Sequence, residues 1–400
     1  MVKHLWTLFN QPIVRAIGIT FFICGFIFGS WTSCIPYIKD KFLLDEAELG
    51  LLLLSMPAGV LIMNPLSVLI LGKLGINRST LLFGVMMGFA FALPVSAPNI
   101  PLVVIGLMLA GGSFACLNVA MNTYASNLEA NHGMRLMSAC HGMWSVGAMS
   151  GAMISSLSFG ILRSLIPAIH PQIVYIWIAA MAMLVLAMRV KKSLYLVTEP
   201  IPEESHEKKS AFSIFKPNAA LLLLASILIC TYFTEGSMAD WAAVYMKDML
   251  HSPESMVGWG FSMYAGFMAG GRFIGDELIH RYTNKVVLRM GGVLVIVGML
   301  WIILSGNPWI VLPGFMMVGL GISLASPILY AASAKVKGLA PGVGLATMNT
   351  VGMAAFLTGP VIVGFIAQWV NLRFAFLWVV FASILWIIQT TRWIRNKSVE

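Results

Sequence analysis

The sequence predicts an all-α membrane protein whose twelve transmembrane helices form two pseudo-symmetric halves of six. Composition is the first observation: 59% of the 400 residues are hydrophobic and only 10% are charged, whereas about 25% are charged in soluble domains. The second is that apolar runs of roughly 20 residues, the length that spans a bilayer, follow one another along most of the chain. These runs are continuous rather than alternating in polarity, so they predict helices and not the strands of a β-barrel.

Twelve apolar segments follow in order, with predicted cores at 14–37, 47–71, 80–97, 101–126, 136–161, 172–190, 217–246, 255–279, 286–305, 308–333, 341–369 and 372–391. The connections are short except for residues 191–216, the one sustained polar stretch. We therefore expect an N-terminal six-helix domain at 1–190, a cytoplasmic linker at 191–216 and a C-terminal six-helix domain at 217–400.

A repeat relates the two halves. The motif Y-I-K-D at 37–40 returns 208 residues later as Y-M-K-D at 245–248, and Gly106 returns as Gly314 at the same spacing. Duplicated six-helix halves are a transporter design in which the solute site lies between the halves, near the middle of the membrane. The repeat therefore predicts a central site shared by both halves.

The basic residues predict how the chain is oriented. With the N-terminus in the cytoplasm, nineteen of the 25 Lys and Arg residues lie on the cytoplasmic side, five lie outside and Arg272 lies within a helix. The positive-inside rule then places both termini in the cytoplasm. Because these residues flank apolar segments, the net charge of +9 does not indicate nucleic-acid binding.

Motifs for enzymes and cofactors are missing from the sequence. The five cysteines are scattered without metal-ligand spacing. No phosphate-binding loop, zinc-protease motif or nucleophile elbow occurs. We expect a protein that is not an enzyme, binds no metal or cofactor and does not use ATP.

Four ionisable side chains inside two apolar segments indicate a polar path through the membrane. Glu235 and Asp240 lie in the seventh segment, and Arg272 and Asp276 lie in the eighth. A charge at that depth costs a few kcal/mol or more, so it is seldom present without a partner or a task. Burial favours the neutral form of a carboxyl group, so either acid can carry a proton. Glu235 is preferred because it lies deeper, and pairing with a neighbouring helix is the alternative.

Arg272, Asp276 and His141 are candidate gating residues. Arg272 and Asp276 are four residues apart, on one face of a helix. Snorkelling of Arg272 or a local ion pair with Asp276 is one alternative, and binding of an anionic solute by Arg272 is another. His141 is a proton relay or, alternatively, a packed hydrogen-bonding residue.

Candidate solute-binding residues are amides, hydroxyls and aromatic rings. Asn118 and Asn122 share a face of the fourth segment, and Ser326 and Tyr330 are their repeat counterparts in the tenth. Hydrogen bonding between helices is the alternative role for the amides. The remaining candidates beside Glu235 are Trp31, Trp144, Trp241 and Asn349. For Trp31 and Trp241 the alternative is anchoring at the membrane interface.

Four stretches carry a family resemblance: G-S-W-T-S-C-I-P (29–36), N-V-A-M-N…E…H-G-M-W-S-V-G (118–147), E-G-S-M-A-D-W-A-A-V-Y (235–245) and G-R-F-I-G-D (271–276). They resemble the major facilitator superfamily, and within it the MosC-like/YbjJ-like subgroup of bacterial inner-membrane proteins. The resemblance implies the major facilitator fold, alternating access and a location in the inner membrane.

The sequence departs from the family at three places. Gly72 stands where the loop after the second helix usually has Asp, and Asn118 stands where relatives commonly have Asp. The fifth helix lacks the Gly-Pro signature of many drug exporters. These departures weaken the usual charge relay and disfavour drug efflux.

We therefore expect a monomeric secondary transporter of a small polar solute, such as a sugar, a polyol or a derivative, driven by protons across the lipid bilayer. Proton-coupled efflux of an amphipathic compound is the alternative within transport. A receptor or scaffold that transports nothing is the alternative of another class. The sequence leaves the direction of transport open.

Overall fold

The computed structural model describes residues 12–132, 136–194, 218–336 and 343–395, and every regular element in these ranges is a helix. We number the membrane-length helices in chain order as α1 Pro12–Lys41, α2 Glu46–Leu74, α3 Ile76–Ser96, α4 Ile100–His132, α5 Met137–Leu165, α6 Pro171–Leu194, α7 Ala219–Met249, α8 Trp259–Tyr282, α9 Asn284–Leu304, α10 Leu312–Ser333, α11 Val343–Trp369 and α12 Leu372–Trp393. The predicted all-α fold with twelve helices is confirmed.

Eleven of these helices are long and apolar enough to cross a membrane, within the part of the chain that the structure describes. The helix outside that set is α8, which is 24 residues long but has Arg272 and Asp276 in its interior and further charges near its end. Helix α8 is thus less hydrophobic than the other membrane-length helices. It packs against α5 of the first half and α10 of the second. Helix α6 continues to Leu194, four residues into the stretch predicted as the linker; residues 195–217 lie outside the described ranges.

Several helices are interrupted near one end of the bundle. In α1 the break at Ser33 and Cys34 is followed by a short helix, Ile35–Lys41, with Pro36 in its first turn, where proline is tolerated. At the corresponding place α7 ends in a π-helical turn, Tyr245–Met249. These two pieces hold the repeated Tyr-x-Lys-Asp motif. We call this end of the bundle the motif end, and the opposite end, where α6 stops and α7 begins, the linker end.

Helices within each half pack closely, with backbones in contact through small residues. A Cβ atom at Gly111 of α4 would meet the carbonyl of Met56 in α2. In the second half a Cβ at Gly319 of α10 would meet the carbonyl of Tyr264 in α8. Both residues of the second pair lie 208 positions after those of the first. The sequence repeat therefore corresponds to a repeated helix contact of the small-residue type common in membrane proteins.

The two halves meet along α5 and α8 and, at the motif end, along α2 and α11. The Ser262 hydroxyl of α8 donates to the Met149 carbonyl of α5 at 2.9 Å, and the Gly258 amide donates to Ser156 at 2.6 Å. The motif-end piece of α2, Glu46–Leu53, has five buried residues among eight, whereas the longer piece Ser55–Leu74 has four among twenty. The halves are thus joined at the motif end.

Candidate functional site

Reciprocal ion pairs connect the two copies of the repeated motif. Lys39 Nζ of the first copy lies 2.6 Å from Asp248 Oδ2 of the second. Lys247 of the second copy pairs with Asp40 of the first. Each lysine therefore binds the aspartate of the other copy, as expected when two related motifs face each other across a pseudo-twofold axis. Lys39 also reaches Glu46 Oε1 at 2.9 Å.

Two further polar contacts join the halves at this end. Arg163 of α5 donates twice to Glu254, from Nη2 at 2.5 Å and from Nε at 3.2 Å. Gln368 Nε2 of α11 donates to Asp45 Oδ2 at 2.9 Å. Partly exposed ion pairs contribute little individually, and water can replace their partners. A closure built from several of them can open without a large energetic penalty.

Aromatic side chains lie next to the ion pairs on the side of the bundle centre. The ring of Phe28 in α1 is 6.2 Å from the ring of Phe261 in α8, and it also contacts Phe91, Phe114 and Trp144. Phe28 and Phe261 are 6% and 2% exposed. They form an apolar seal across the two halves, and we call this pair the seal.

A polar cluster lies beyond the seal, towards the linker end. Glu235 of α7 and Arg272 of α8 are close enough for their charges to interact. Arg272 Nη1 donates to Ser145 Oγ of α5 at 2.8 Å, which joins the halves. His141, one turn before Ser145, also lies within electrostatic range of Arg272 and packs its ring against Phe21. The predicted gating residues Arg272 and His141 are therefore brought together, while the side chain of Asp276 lies outside the described residues.

Hydroxyl groups surround Glu235. The Tyr232 and Tyr330 hydroxyls are 3.3 Å apart, and Ser326 interacts with Tyr232. The Tyr264 hydroxyl is buried, makes no hydrogen bond with any residue that the structure describes and is electrostatically coupled to Glu235. Three helices, α7, α8 and α10, thus direct hydroxyls to one carboxyl group. We call Glu235, Arg272 and these four hydroxyl residues the central cluster.

Asn118 and Asn122 bind each other on α4. Asn122 Nδ2 donates to Asn118 Oδ1 at 2.5 Å and to the Asn118 carbonyl at 2.8 Å. Both residues are half-buried. Both bonds lie within α4. They are therefore not the hydrogen bonds between helices that were considered as the alternative role of these amides. The remaining amide donor and acceptor atoms can take a solute.

Trp31 and Trp241 are more deeply buried than a solute-binding or interfacial tryptophan would be. Trp31 is 1% exposed, with its ring 5.6 Å from Phe91. Trp241 is 0% exposed and donates from Nε1 to the Pro360 carbonyl at 3.0 Å. Both are packed inside their own half in this conformation, so they are neither interface anchors nor exposed to a solute here. Trp144 is half-buried beside Phe28 and stays close to the bundle centre.

Two other candidates lie apart from the central cluster. Asn349 is exposed on α11. Asp240 is half-buried, and no ion pair or hydrogen bond of its side chain occurs among the described residues. Lys39 and Lys247 bind other carboxylates and not Asp240.

The sequence analysis missed several residues of this site: Lys39, Asp248, Lys247 and Asp40 at the motif end, and Ser145, Tyr232 and Tyr264 in the centre. The four motif-end residues could have been found from the sequence, since the Tyr-x-Lys-Asp repeat places an acid and a base in both halves. No signal existed for Tyr264, whose repeat counterpart is Met56. Across the described ranges, no group of three His, Cys, Asp or Glu side chains is arranged to hold a metal ion.

Comparisons with solved structures show the fold. The nucleoside transporter NupG superposes with a TM-score of 0.68 at 14% identity, covering 97% of this chain and 100% of its own. A bacterial homolog of the human lysosomal transporter Spinster, inward-facing and unoccupied, superposes with a TM-score of 0.70 at 13% identity, covering 97% and 98%. A variant of the E. coli fucose:proton symporter FucP gives 0.63 at 15% identity, covering 97% and 100%.

Comparisons with other sequences show the family. An uncharacterized MFS-type transporter of Yersinia pestis is 29% identical over 358 residues, 90% of each chain. The membrane protein MosC of Rhizobium meliloti is 26% identical over 392 residues, 96% of this chain and 91% of its own. These relatives confirm the predicted MosC-like grouping. The family model described as Major Facilitator Superfamily matches residues 17–338 and 237–400, and the chain therefore belongs to the Major Facilitator Superfamily.

Proposed function

We propose that this chain is a secondary active transporter that moves a small polar solute across the bacterial inner membrane by alternating access. The observation that supports it most is the order of three features along the interface between the halves. Ion pairs of the repeated motif come first, the seal comes second, and the central cluster comes third. A solute in the central cluster is shut off from the motif end, as one state of an alternating-access cycle requires.

The moving bodies in this proposal are the two six-helix domains, residues 1–190 and 217–400, joined by a cytoplasmic linker at 191–216. The bias of Lys and Arg places the linker end in the cytoplasm, so the structure corresponds to a state closed to the outside. Opening outwards separates Lys39 from Asp248, and Lys247 from Asp40, and parts the rings of Phe28 and Phe261. A reporter fused to the C-terminus that works only in the periplasm should stay silent, and an active reporter contradicts this orientation.

The side chains of the centre support a solute with several hydroxyl groups. Asn118 and Asn122 offer amides from α4, while Tyr232, Ser326 and Tyr330 offer hydroxyls from α7 and α10. Such groups match the alternating donors and acceptors of a sugar or polyol. The names of NupG and FucP refer to a nucleoside and to fucose with protons; at their low identity these similarities support the fold alone.

Glu235 carries the proton in this proposal. It is the acid of the central cluster, it lies near hydroxyl groups of a kind that can hydrogen-bond a neutral carboxyl group, and it is coupled to Arg272. Protonation of Glu235 removes the negative charge that attracts Arg272, which leaves Arg272 held by Ser145 of the other half. Protonation of this acid thus weakens an attraction within the second half and leaves the bond of Arg272 to the first half as its remaining hydrogen bond among the described residues.

Transport in proteoliposomes with an imposed pH gradient tests the proposal. Glu235→Gln mimics the protonated acid, so it should abolish uphill accumulation while gradient-free exchange continues. Glu277→Gln, which removes an exposed acid of α8, is the matched control and should behave as the parent. Uphill accumulation by Glu235→Gln with the parental pH dependence assigns the proton elsewhere, and Asp240→Asn is the next variant.

A further inference from the structure

A second cavity of about 320 Å³ lies at the motif end, separate from the central cluster. Residues of both halves line it: Tyr37 and Lys41 of α1, Arg163 of α5, Gln172 of α6, and Lys247 and Glu254 of the second half. Along the chain into α8, Phe261 of the seal comes after Val257, which lines the cavity, and before Tyr264 and Arg272 of the central cluster. The cavity is therefore a space of its own, formed where the halves meet.

Two buried polar groups at this cavity lack partners. The Tyr37 hydroxyl and Gln172 Oε1 make no hydrogen bond with any described residue, and both side chains are buried, Tyr37 at 8% exposed and Gln172 at 6%. Buried polar atoms are nearly always hydrogen-bonded, and an unpartnered one destabilises the fold unless water or a ligand completes it. Both side chains line the cavity, so a molecule bound in the cavity can supply the missing partners.

The cavity also has one positive charge in excess. Its lining contains three basic side chains, Lys41, Arg163 and Lys247, and two carboxylates, Asp40 and Glu254. Asp40 is bound by Lys247, and Glu254 is bound by Arg163. Lys41 forms no ion pair with any described residue; its Nζ donates to the Val95 carbonyl at 3.3 Å and lies 5.5 Å from the centre of the Tyr37 ring. An ammonium group with one carbonyl partner has donors left for an anion.

We propose that this cavity is a second solute site, and that it binds a small organic anion that also carries hydroxyl or amino groups. The carboxylate of the anion binds Lys41, and its hydroxyl or amino hydrogens bind Gln172 Oε1 and the Tyr37 hydroxyl. The inference goes beyond the proposed transport at the central cluster, since it concerns different residues and a ligand of different charge.

The position of the site gives it a regulatory consequence. The three proposed ligands of the anion belong to the first half, while Lys247 and Glu254 of the second half enclose the cavity from the other side when the reciprocal ion pairs are closed. A ligand that binds one conformation better shifts the population towards it. Anion bound from the outside therefore keeps the motif end closed and slows outward opening.

Thermal unfolding of the purified full-length protein tests the site with four probes: lactate, gluconate, glutamate and the uncharged polyol sorbitol. Ionic strength is held constant with sodium chloride, because partly exposed ion pairs respond to salt. A bound ligand raises the Tm. We expect the Tm to rise with the concentration of at least one anion and to reach a plateau. Sorbitol added at the same concentration as that anion should leave the anion's saturation curve unchanged.

Three variants locate the binding. Lys41→Gln removes the charge, and Tyr37→Phe removes only a hydroxyl and keeps the ring; each should weaken the anion at least tenfold. Tyr330→Phe alters the central cluster and should leave anion binding as in the parent. A fully folded parent that none of the three anions stabilises overturns the proposal, as does stabilisation that survives both Lys41→Gln and Tyr37→Phe. Loss of the effect in Tyr330→Phe alone assigns the anion to the central cluster and also overturns it. This test measures binding of the anion and not transport. A negative transport result in proteoliposomes therefore does not change its outcome.

Discussion

Loss of the Lys39 ammonium group should open the motif end more often. Lys39 makes two charge-assisted contacts, to Asp248 at 2.6 Å and to Glu46 at 2.9 Å. Its side chain is 13% exposed, while the partners are 23% and 26% exposed. Lys39→Gln removes the charge and keeps a polar side chain of similar length.

The magnitude follows from this partial burial. Shielded hydrogen bonds to charged groups contribute about 1.5–3 kcal/mol, whereas exposed ion pairs contribute about 0–1 kcal/mol. The two carboxylates regain water when Lys39 is lost, so we expect the closed state to lose about 1–2 kcal/mol in total. That difference changes the ratio of open to closed molecules by a factor of about 5–30.

Cysteine labelling from the outside measures the change. Ser262 is fully buried between α8 and α5, and the five native cysteines are buried, so Ser262→Cys provides a probe with low background. A membrane-impermeant maleimide should label this cysteine about 5–30 times faster in the Lys39→Gln background, in proportion to the open population. Lys73→Gln, at an exposed lysine of the linker end, is the matched control.

Two results would refute the reasoning. One is an unchanged labelling rate in Lys39→Gln, which means that the reciprocal pairs do not hold the motif end. The other comes from the swap of Lys39→Asp with Asp248→Lys. This double variant restores opposite charges at the same place, so it should label more slowly than Lys39→Asp alone. Equal rates would assign the effect to something other than the pair.

Three further predictions concern packing and the centre. Gly29→Leu should lower the Tm and the yield, because a side chain there overlaps the backbone of Ala148 and overpacking costs about 1–3 kcal/mol or more; Gly270→Leu, with open space around it, should be tolerated. Trp241→Phe should lower stability by about 1–3 kcal/mol through the lost Nε1 hydrogen bond and ring contacts, with solute affinity from equilibrium binding unchanged; weaker affinity at parental Tm would place this residue in the solute site. Asn122→Ala should weaken solute binding by about 1 kcal/mol, or roughly fivefold, at nearly parental Tm, and parental affinity would move the site away from α4.

The sequence alone determined the fold class, the number and approximate bounds of the helices, the repeat and the family. The fold class and the helix bounds are properties of local composition. A run of about 20 apolar residues must form its own backbone hydrogen bonds in lipid wherever it packs, so the position of a helix can be read without its neighbours. The charged helix α8 was predicted in the same way, from the apolar residues of segment 255–279 on either side of its charges.

Only the tertiary structure decided which side chains meet. Lys39 lies seven residues from Glu46 and 209 residues from Asp248, yet binds both. Trp31 and Trp241 were expected to face a solute or the membrane interface, and packing against Phe91 and Pro360 buries them instead. Helical spacing gives the face on which a residue lies, whereas its partner depends on the rotation and separation of helices from distant parts of the chain. The reciprocal lysine–aspartate pairs depended on both levels. The sequence repeat identified the four residues, and the pseudo-twofold arrangement of the halves brought them together.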